Sequence, residues 1–406
     1  SPISRTGGLA SGPLSLMQII NEIGRHVMQG GSRRSAIWAG LSWKHPDIFD
    51  FIHLKDWKHE VRALKAVDFN HPAPMDMTNV SVLLDDEFFN AFRYSNHSLH
   101  QHAQDVYWQT VRRMCKTAEP GFSIDVGLNA RETLRNACTE LTSFDSDDIC
   151  NLGSINMARI DSPDDMEHVV ALATFFLLVG TVYSDVPYEG ILAIRAKNRR
   201  LGLGLMGLHE WLLARGKQYG PDEELGQWLN IYRRSGQFAN EYADRYGLSR
   251  PVKTRAIAPT GTIGIIGETT TGIEPVFCAA YKRRYLAGGK DWHFQYVVDP
   301  TAKHMLELGV DAGNIEDAYT LSLDVERRVA FQAWVQGYVD HGISSTINLP
   351  EPLLHSEADK FGTMLLQYLP QLRGLTVYPN GARGGQPLTP IDIRVALEQE
   401  GAVFSE

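Results

Sequence analysis

Short apolar runs rich in β-branched residues alternate with helix-length segments along the whole 406-residue chain, and this alternation restricts the fold more than any other feature. Strands separated by a helix must pair in parallel, because the chain needs a crossover of a dozen residues or more to return to the same edge. The runs NVSVLL (79–84), FSIDV (122–126), RAIAP (255–259), STINL (345–349) and LTVY (375–378) predict strands. Helical spacing of apolar residues predicts helices over 14–29, 98–116, 165–185, 203–215 and 224–246. The first of these is expected to stop at Gly30-Gly31. Asp85-Asp86 suits a helix N-terminus directly after the 79–84 strand. The opening thirteen residues, SPISRTGGLASGP, read as loop. No Pro/Gly/Ser-rich linker divides the rest, so a single α/β domain over residues 1–406 is expected, its 43% hydrophobic content sufficient for a large core.

Charge and cysteine content remove several function classes. A formal charge of -9 disfavours non-specific nucleic-acid binding, which needs dense Lys and Arg to displace counterions. It leaves small anions open as ligands, since backbone N–H groups hold phosphate on an acidic protein. No uninterrupted apolar run of membrane-spanning length and no signal peptide are visible, and the chain lacks an initiator Met. Four cysteines are too few for a disulfide scaffold and point to a reducing cytoplasm. The 14 histidines show no HExxH or other paired metal spacing, so no metal site is expected. His209 reads as a packing or surface residue, Cys115 and Cys278 as small buried apolar groups, and Asp145 to Asp148 as a solvated turn.

Three stretches carry chemistry. In Asn136-Ala137-Cys138-Thr139-Glu140, an extended backbone would turn the amide, thiol and carboxylate to one side. The thiol could serve as nucleophile or radical, the carboxylate as proton acceptor, the amide as an orienting group; equally, the segment could be a loop with a half-buried Cys and a solvated Glu. Twelve residues on, Cys150-Asn151-Leu152-Gly153-Ser154-Ile155-Asn156 brings a second thiol. Two thiols in one pocket can deliver two electrons by closing a disulfide, and the spacing is too long for a zinc knuckle. In the run from Arg255 to Gly264, a strand enters Pro259-Thr260-Gly261-Thr262 and a helix start. This is either a phosphate-holding turn or an ordinary Thr-capped one; it lacks the P-loop pattern.

Together these stretches resemble the ribonucleotide reductase large-chain family. Residues 136–140 match its Asn-x-Cys-x-Glu hallmark and 150–156 its Cys-Asn-Leu-Gly-Ser-Ile-Asn hallmark. Asn198 to Gly207 is similar to its Arg-Arg-x-Gly-x-Gly-x-Met segment, and Ala258 to Thr262 with Gly272-Ile273-Glu274-Pro275 to its phosphate loop. Gln29-Gly30-Gly31-Ser32-Arg33-Arg34 resembles its effector-to-substrate loop and Leu375 to Tyr378 its last barrel strand.

The resemblance implies a ten-stranded α/β barrel of two antiparallel five-stranded parallel halves, the first strand lying outside this chain, with a central finger loop around 136–150. It implies reduction of ribonucleoside di- or triphosphates to deoxynucleotides for DNA synthesis. Cys138 would be the thiyl radical that takes hydrogen from C3′, Glu140 the base on the 3′-hydroxyl, Asn136 a substrate ligand and Cys150 one of two reducing thiols. Pro259, Thr260, Gly261, Thr262 and Ser11 would bind substrate. Gln29, Gly30, Gly31, Ser32 and Arg33 would couple base choice to a dNTP or ATP effector, with Arg33 central. Tyr378 is either a radical-transfer residue or a barrel-wall Tyr; Pro379 follows it, so no Tyr-Tyr pair exists. The radical source is expected to be a small metal-bearing partner subunit or adenosylcobalamin, with a lean to the partner, and no cofactor is expected to be held covalently. A homodimer and a thioredoxin-type reductant complete the expected partners. The family's second reducing cysteine, upstream of the segment seen at 1–8, and its C-terminal cysteine pair are not in this sequence. The polypeptide as written is therefore expected not to complete turnover alone, and no N-terminal ATP-binding domain can be judged. A glycyl-radical enzyme would need a better radical loop than Gly381-Ala382-Arg383-Gly384. A non-catalytic nucleotide-binding regulator is disfavoured by the joint presence of Asn136, Cys138, Glu140 and Cys150.

Overall fold

A computed structural model describes residues 10–29, 33–68, 71–287, 291–380 and 388–405. Its strands of four or more residues, with the two three-residue strands of the outer sheet, are β1 (Ile37–Ser42), β2 (Thr78–Asp85), β3 (Gly121–Asp125), β4 (Asn151–Asn156), β5 (Leu201–Met206), β6 (Ala280–Ala287), β7 (Asp291–Val298), β8 (Thr346–Leu349), β9 (Gly374–Pro379), β10 (Leu388–Pro390) and β11 (Val403–Ser405). The helices that position them are α1 (Gly12–His26), α2 (Asp86–Arg93), α3 (His100–Thr117), α4 (Pro163–Tyr183), α5 (Glu189–Asn198), α6 (Leu208–Leu213), α7 (Glu223–Arg233), α8 (Ser235–Arg245), α9 (Gly261–Ile266), α10 (Pro300–Glu307), α11 (Val325–Gln336) and α12 (His355–Tyr368).

The strands form one continuous order. β1, β2 and β3 pair in parallel, and β3 meets β9 antiparallel through Gly374↔Ser123 and Leu375↔Phe122. β9 pairs in parallel with β8, and the same segment reaches residue 257 through the parallel bridge Ile257↔Ile343. Residue 255 bridges Leu203 of β5, which runs parallel to β4. One parallel set of three thus meets an antiparallel-oriented set of five. Where ten strands were expected, seven occur in this order among the described residues, and the 255–259 segment joins them as an eighth position through isolated bridges, not as a full strand.

Alternation decides the faces. In β5 (LGLGLM), Leu201, Leu203 and Leu205 pack in the core with Trp211 and Trp228, leaving Gly202 and Gly204 on the opposite, inner face. In β3, Phe122 and Ile124 join the other main core with Tyr107, Val82 and Val377, leaving Ser123 and Asp125 inward. Phe122 is 1% exposed and stacks on Tyr107 at 5.7 Å. Phe122→Ala is expected to cost about 3–5 kcal/mol, read as a fall in the denaturant midpoint at unchanged m-value.

Several expectations need correcting. The helix expected over 203–215 is strand β5 followed by six-residue α6; Gly207 at φ +71° separates them, a conformation that suits glycine. The single helix over 224–246 is two, meeting at Arg234. α1 ends at His26, before Gly30, and Met28-Gln29 pairs antiparallel with Arg33-Arg34. Asp85 does cap α2, accepting from Phe88 N at 2.8 Å. α4 is long and apolar enough by composition to cross a membrane, where the sequence suggested no such segment; here it packs on β4, β5, α7 and α8. Outside the barrel strands, β10-β6-β7-β11 form an antiparallel sheet that the sequence reading did not anticipate.

Candidate functional site

The 136–140 segment is a turn, not an extended strand. Thr139 N donates to Asn136 O at 3.0 Å and Thr139 has φ +66°, so the period-2 argument for a shared face fails. The turn is instead tied to inward positions of several strands. Asn79 of β2 donates through Nδ2 to Ala137 O at 2.8 Å, and Gly342 N donates to Glu140 O at 2.7 Å. A Cβ on Gly342 would lie 2.9 Å from Thr139 O, and one on Gly374 of β9 would lie 3.6 Å from Thr139 Oγ1. The loop therefore sits against the inner faces of both strand sets.

The three chemical groups differ in burial. Glu140 is 1% exposed, and its Oε2 has no hydrogen-bond partner. Burial raises its proton affinity above the ordinary carboxylate value, while its own backbone N–H and Asn136 oppose that rise. Asn136 Oδ1 also accepts from Leu141 N at 3.0 Å and so holds the turn. Cys150 is half-buried directly before β4; burial pushes its thiol well up, Arg200 opposes this, and Asp148, Glu140 and Asp340 add to it. Glu140 and Cys150 thus share one electrostatic environment. Cys138, expected to be enclosed, is exposed. Its neighbours in the turn are held by Asn79 and lie against Gly374.

A cavity of about 580 Å3 lies along β8 and by the carboxyl ends of β9 and the 255–259 segment, the side of α/β sheets on which ligands bind. Pro259, Gly261, Glu274, Thr346, Asn348 and Tyr378 are among its lining residues. Thr260 adopts φ +52° and its Oγ1 accepts from Gly272 N at 2.8 Å, which ties the loop to the Gly272-Ile273-Glu274-Pro275 segment. Glu274 in turn accepts from Thr346 N at 2.7 Å and pairs with buried Arg328 at 2.5 Å. Thr262 is exposed in the first turn of α9. Asn136, Cys138, Glu140 and Cys150 do not line this cavity. They connect to it through one strand: Gly342 holds Glu140, and Ser344, two residues on, lines the cavity.

Ser11 is exposed at the N-terminus of α1 and makes no cap hydrogen bond. Gln29 and Arg33 face each other in the two-residue ladder, while Gly30, Gly31 and Ser32 lie outside the described residues. Cys115 and Cys278 are buried, their thiols each pushed up to about 12 by burial. His209 is a packing residue: burial pushes it down to about 3 and its Nδ1 accepts from Val276 N at 2.9 Å. No group of three or more metal-ligating side chains occurs among the described residues.

The sequence reading missed a buried charge cluster under the loop. Asp148, expected in a solvated turn, has a side chain 4% exposed and pairs with Arg200 at 2.5 Å. Arg200 also reaches Glu132 at 3.1 Å, and Glu132 pairs with Lys253 and accepts from Thr142 Oγ1 at 2.8 Å. Burial pushes Lys253 down to about 8 against the pull of Glu132. Arg135 pairs with Asp125, and burial pushes Arg373, beside both carboxylates, down to about 10. No local pattern marks these residues; they meet only through long-range contacts.

The family model for the ribonucleotide reductase barrel domain matches residues 1–102, 93–227 and 238–368. A Mycobacterium tuberculosis protein named vitamin B12-dependent ribonucleoside-diphosphate reductase is 28% identical over 99% of this chain and 65% of its own length. A protein of the same name from Thermoplasma acidophilum is 27% identical over 95% of the chain and 56% of its own. The chain thus spans less than two thirds of these relatives. The crystal structure of a B12-dependent, class II ribonucleotide reductase superposes with a TM-score of 0.70 at 19% identity, over 98% of this chain and 61% of that one; at that identity the likeness concerns the fold. With the family model matching nearly the whole chain, this polypeptide belongs to the ribonucleotide reductase barrel-domain family.

Proposed function

We propose that the chain is the catalytic barrel of a ribonucleotide reductase, converting ribonucleoside phosphates to 2′-deoxyribonucleotides through a thiyl radical at Cys138. The observation that carries this is Glu140: a carboxylate 1% exposed, with Oε2 unpaired, next in charge to the Cys150 thiol and on the same turn as Cys138. A buried carboxylate oxygen left without a partner is costly and is kept where a ligand completes it. Ribose hydroxyls are such a ligand.

Geometry along the 342–349 segment fits a nucleotide. Residue 342 anchors Glu140, and residue 257 bridges 343, which puts the Pro259–Thr262 loop beside residue 345 or later. Three residues of strand span roughly 10 Å, comparable to a ribose with its phosphates. In this reading Pro259 to Thr262 hold the phosphates by N–H and hydroxyl contacts, with Asn136 and Glu140 at the sugar. Cys138 takes hydrogen from C3′ while Glu140 accepts the 3′-hydroxyl proton. Cys150 and a second thiol then lose two electrons and two hydrogens to form a disulfide, one hydrogen leaving with the 2′-oxygen as water and the other going to C2′; Cys138 returns its hydrogen to C3′ and regenerates the thiyl radical, and Glu140 returns the proton to the 3′-oxygen. Ser11 joins the substrate contacts, Gln29 to Arg33 relay a dNTP or ATP effector, and Tyr378 is read as a wall of the cavity. The seven strands and the bridged 255–259 segment are read as part of a ten-stranded barrel, and the protein as a dimer served by a thioredoxin-type reductant in a reducing cytoplasm.

For the radical source we favour adenosylcobalamin over a metal-bearing partner, reversing the lean of the sequence reading, because the relatives above carry vitamin B12 in their names. This chain offers a fitting surface: Ile265 and Phe277, 78% and 50% exposed, line the cavity, and Ile266 adjoins them at 76%. A broad, largely apolar macrocycle would cover that rim. When bound, the cofactor supplies the radical that is passed to the Cys138 sulfur. The test is deoxynucleotide formation by the full-length protein from a ribonucleoside diphosphate with a dithiol. Product with adenosylcobalamin is expected; no product with it or with a co-purified metal subunit rejects the reading.

A pH prediction follows from Glu140. It must be ionised to act as base, and burial raises its pKa, so the acid limb of the rate profile should lie above the ordinary carboxylate range. Asn136→Ala removes a group that favours the ionised form, so the limb should move to still higher pH; an unmoved limb would remove Glu140 as its source.

A further inference from the structure

We propose that Arg200 is a positioning residue for the Cys150 thiol, strapping both ends of the finger loop to the start of β5 and setting the charge beside the sulfur. Register places it there. Asn151 pairs with Leu201, so residues 150 and 200 stand side by side at the entry of two parallel strands. Both fall on the inner face, since Leu201 packs outward in the core. Gly202, next on that face, confirms the position of the sulfur: a Cβ there would lie 3.1 Å from Cys150 Sγ.

The guanidinium uses its fork for two separate tasks. Nε donates to Asp148 Oδ2 at 2.5 Å, two residues before Cys150. Nη1 donates to Glu132 Oε1 at 3.1 Å, on the segment that leads into the Asn136–Glu140 turn. Asp148 is further held by Ser143 Oγ at 2.6 Å and Asn198 Nδ2 at 2.9 Å, so the outgoing end of the loop cannot drift without breaking several bonds. Nη2 is buried and has no hydrogen-bond partner. A planar, permanently charged side chain can make this arrangement; a lysine ammonium cannot span both carboxylates in the same way.

The charged groups facing Cys150 are Asp148 on its own segment, Glu140 from the turn, Asp340 from the segment before β8, and Arg200 from β5. Three carboxylates disfavour the thiolate, and Arg200 is the cation that opposes them. The thiolate is the form that attacks in disulfide chemistry. The proposal deepens the reading of Cys150 as a reducing thiol and rests on it for any catalytic consequence, but its test reads the sulfur directly.

The measurement is the rate of iodoacetamide alkylation at Cys150, followed by peptide mass spectrometry across mildly alkaline pH, with exposed Cys138 as internal reference. Arg200→Gln is expected to slow Cys150 alkylation by about tenfold for each unit its pKa rises, and Arg200→Lys to recover most of the loss. Looser packing alone would speed the reaction, so an unchanged or faster rate in Arg200→Gln overturns the proposal. Should that variant fail to fold, Asp148→Asn decides. A gain in rate that shrinks as pH rises supports a shifted thiol; an equal gain at every pH, or none, overturns it. Absence of ribonucleotide reduction would leave this result standing, and an unmoved sulfur would leave the reductase reading standing.

Discussion

Cys138→Ser should yield a folded chain that binds nucleotide and makes no detectable deoxynucleotide. Cys138 is exposed at the tip of a turn whose hydrogen bonds run through the backbone of Asn136, Ala137 and Glu140. Exchange of sulfur for oxygen at an exposed site is a small change, and stability should change by no more than about 0.5 kcal/mol. The chemistry changes completely, because a serine O–H is far stronger than a thiol S–H and cannot hold a radical reversibly against a ribose C–H. Product analysis by chromatography and nucleotide affinity by calorimetry separate the two effects. Deoxynucleotide formation at a rate near that of the parent protein would remove Cys138 from the mechanism.

The exposure of Cys138 also bears on how the reaction is protected. A sugar radical must be shielded from water and stray hydrogen donors. Glu140 is shielded by the fold itself, whereas Cys138 is exposed, so under the proposed function its shielding would have to come from bound ligand.

Glu140→Gln should reduce kcat by about 10²–10⁴-fold, the usual contribution of a positioned base, and should raise thermal stability at neutral pH. The sign follows from linkage. Burial gives Glu140 a higher proton affinity in the folded chain than in the unfolded one. Such a group adds most to stability below its unfolded-state pKa, and that contribution is lost as pH rises through the folded-state value. At neutral pH the buried carboxylate therefore opposes folding, and Gln relieves it. The stability gain should shrink as the solution is acidified. Calorimetric unfolding at two pH values tests this; a variant that is inactive and less stable at neutral pH would instead mark Glu140 as a structural group. Loss of activity with gain of stability is the pattern expected where a functional site retains an unfavourable group.

What the sequence determined by itself was local. Alternation of strand and helix runs set a parallel α/β architecture, Asp85 marked a helix start, and two short motifs marked the segment 136–140 and the thiol at 150, because propensity, capping and motif chemistry act over a few residues. Tertiary structure decided what depended on distant partners. LGLGL reads as helical until β4 and the 255–257 segment pair with it on both sides, which makes it strand β5. Asp148 looks like a solvated turn residue until Arg200, Asn198 and Ser143 close around it. Asn136, Cys138 and Glu140 share a turn and not a strand face, because Asn79, Gly342 and Gly374 fix the loop from three separate elements. The outer sheet had a readable trace in the Gly288-Gly289 pair between two β-rich stretches, but its edge strands come from 388–390 and 403–405. Loop geometry and buried charge are settled by contacts between residues far apart in the chain, and no local pattern encodes them.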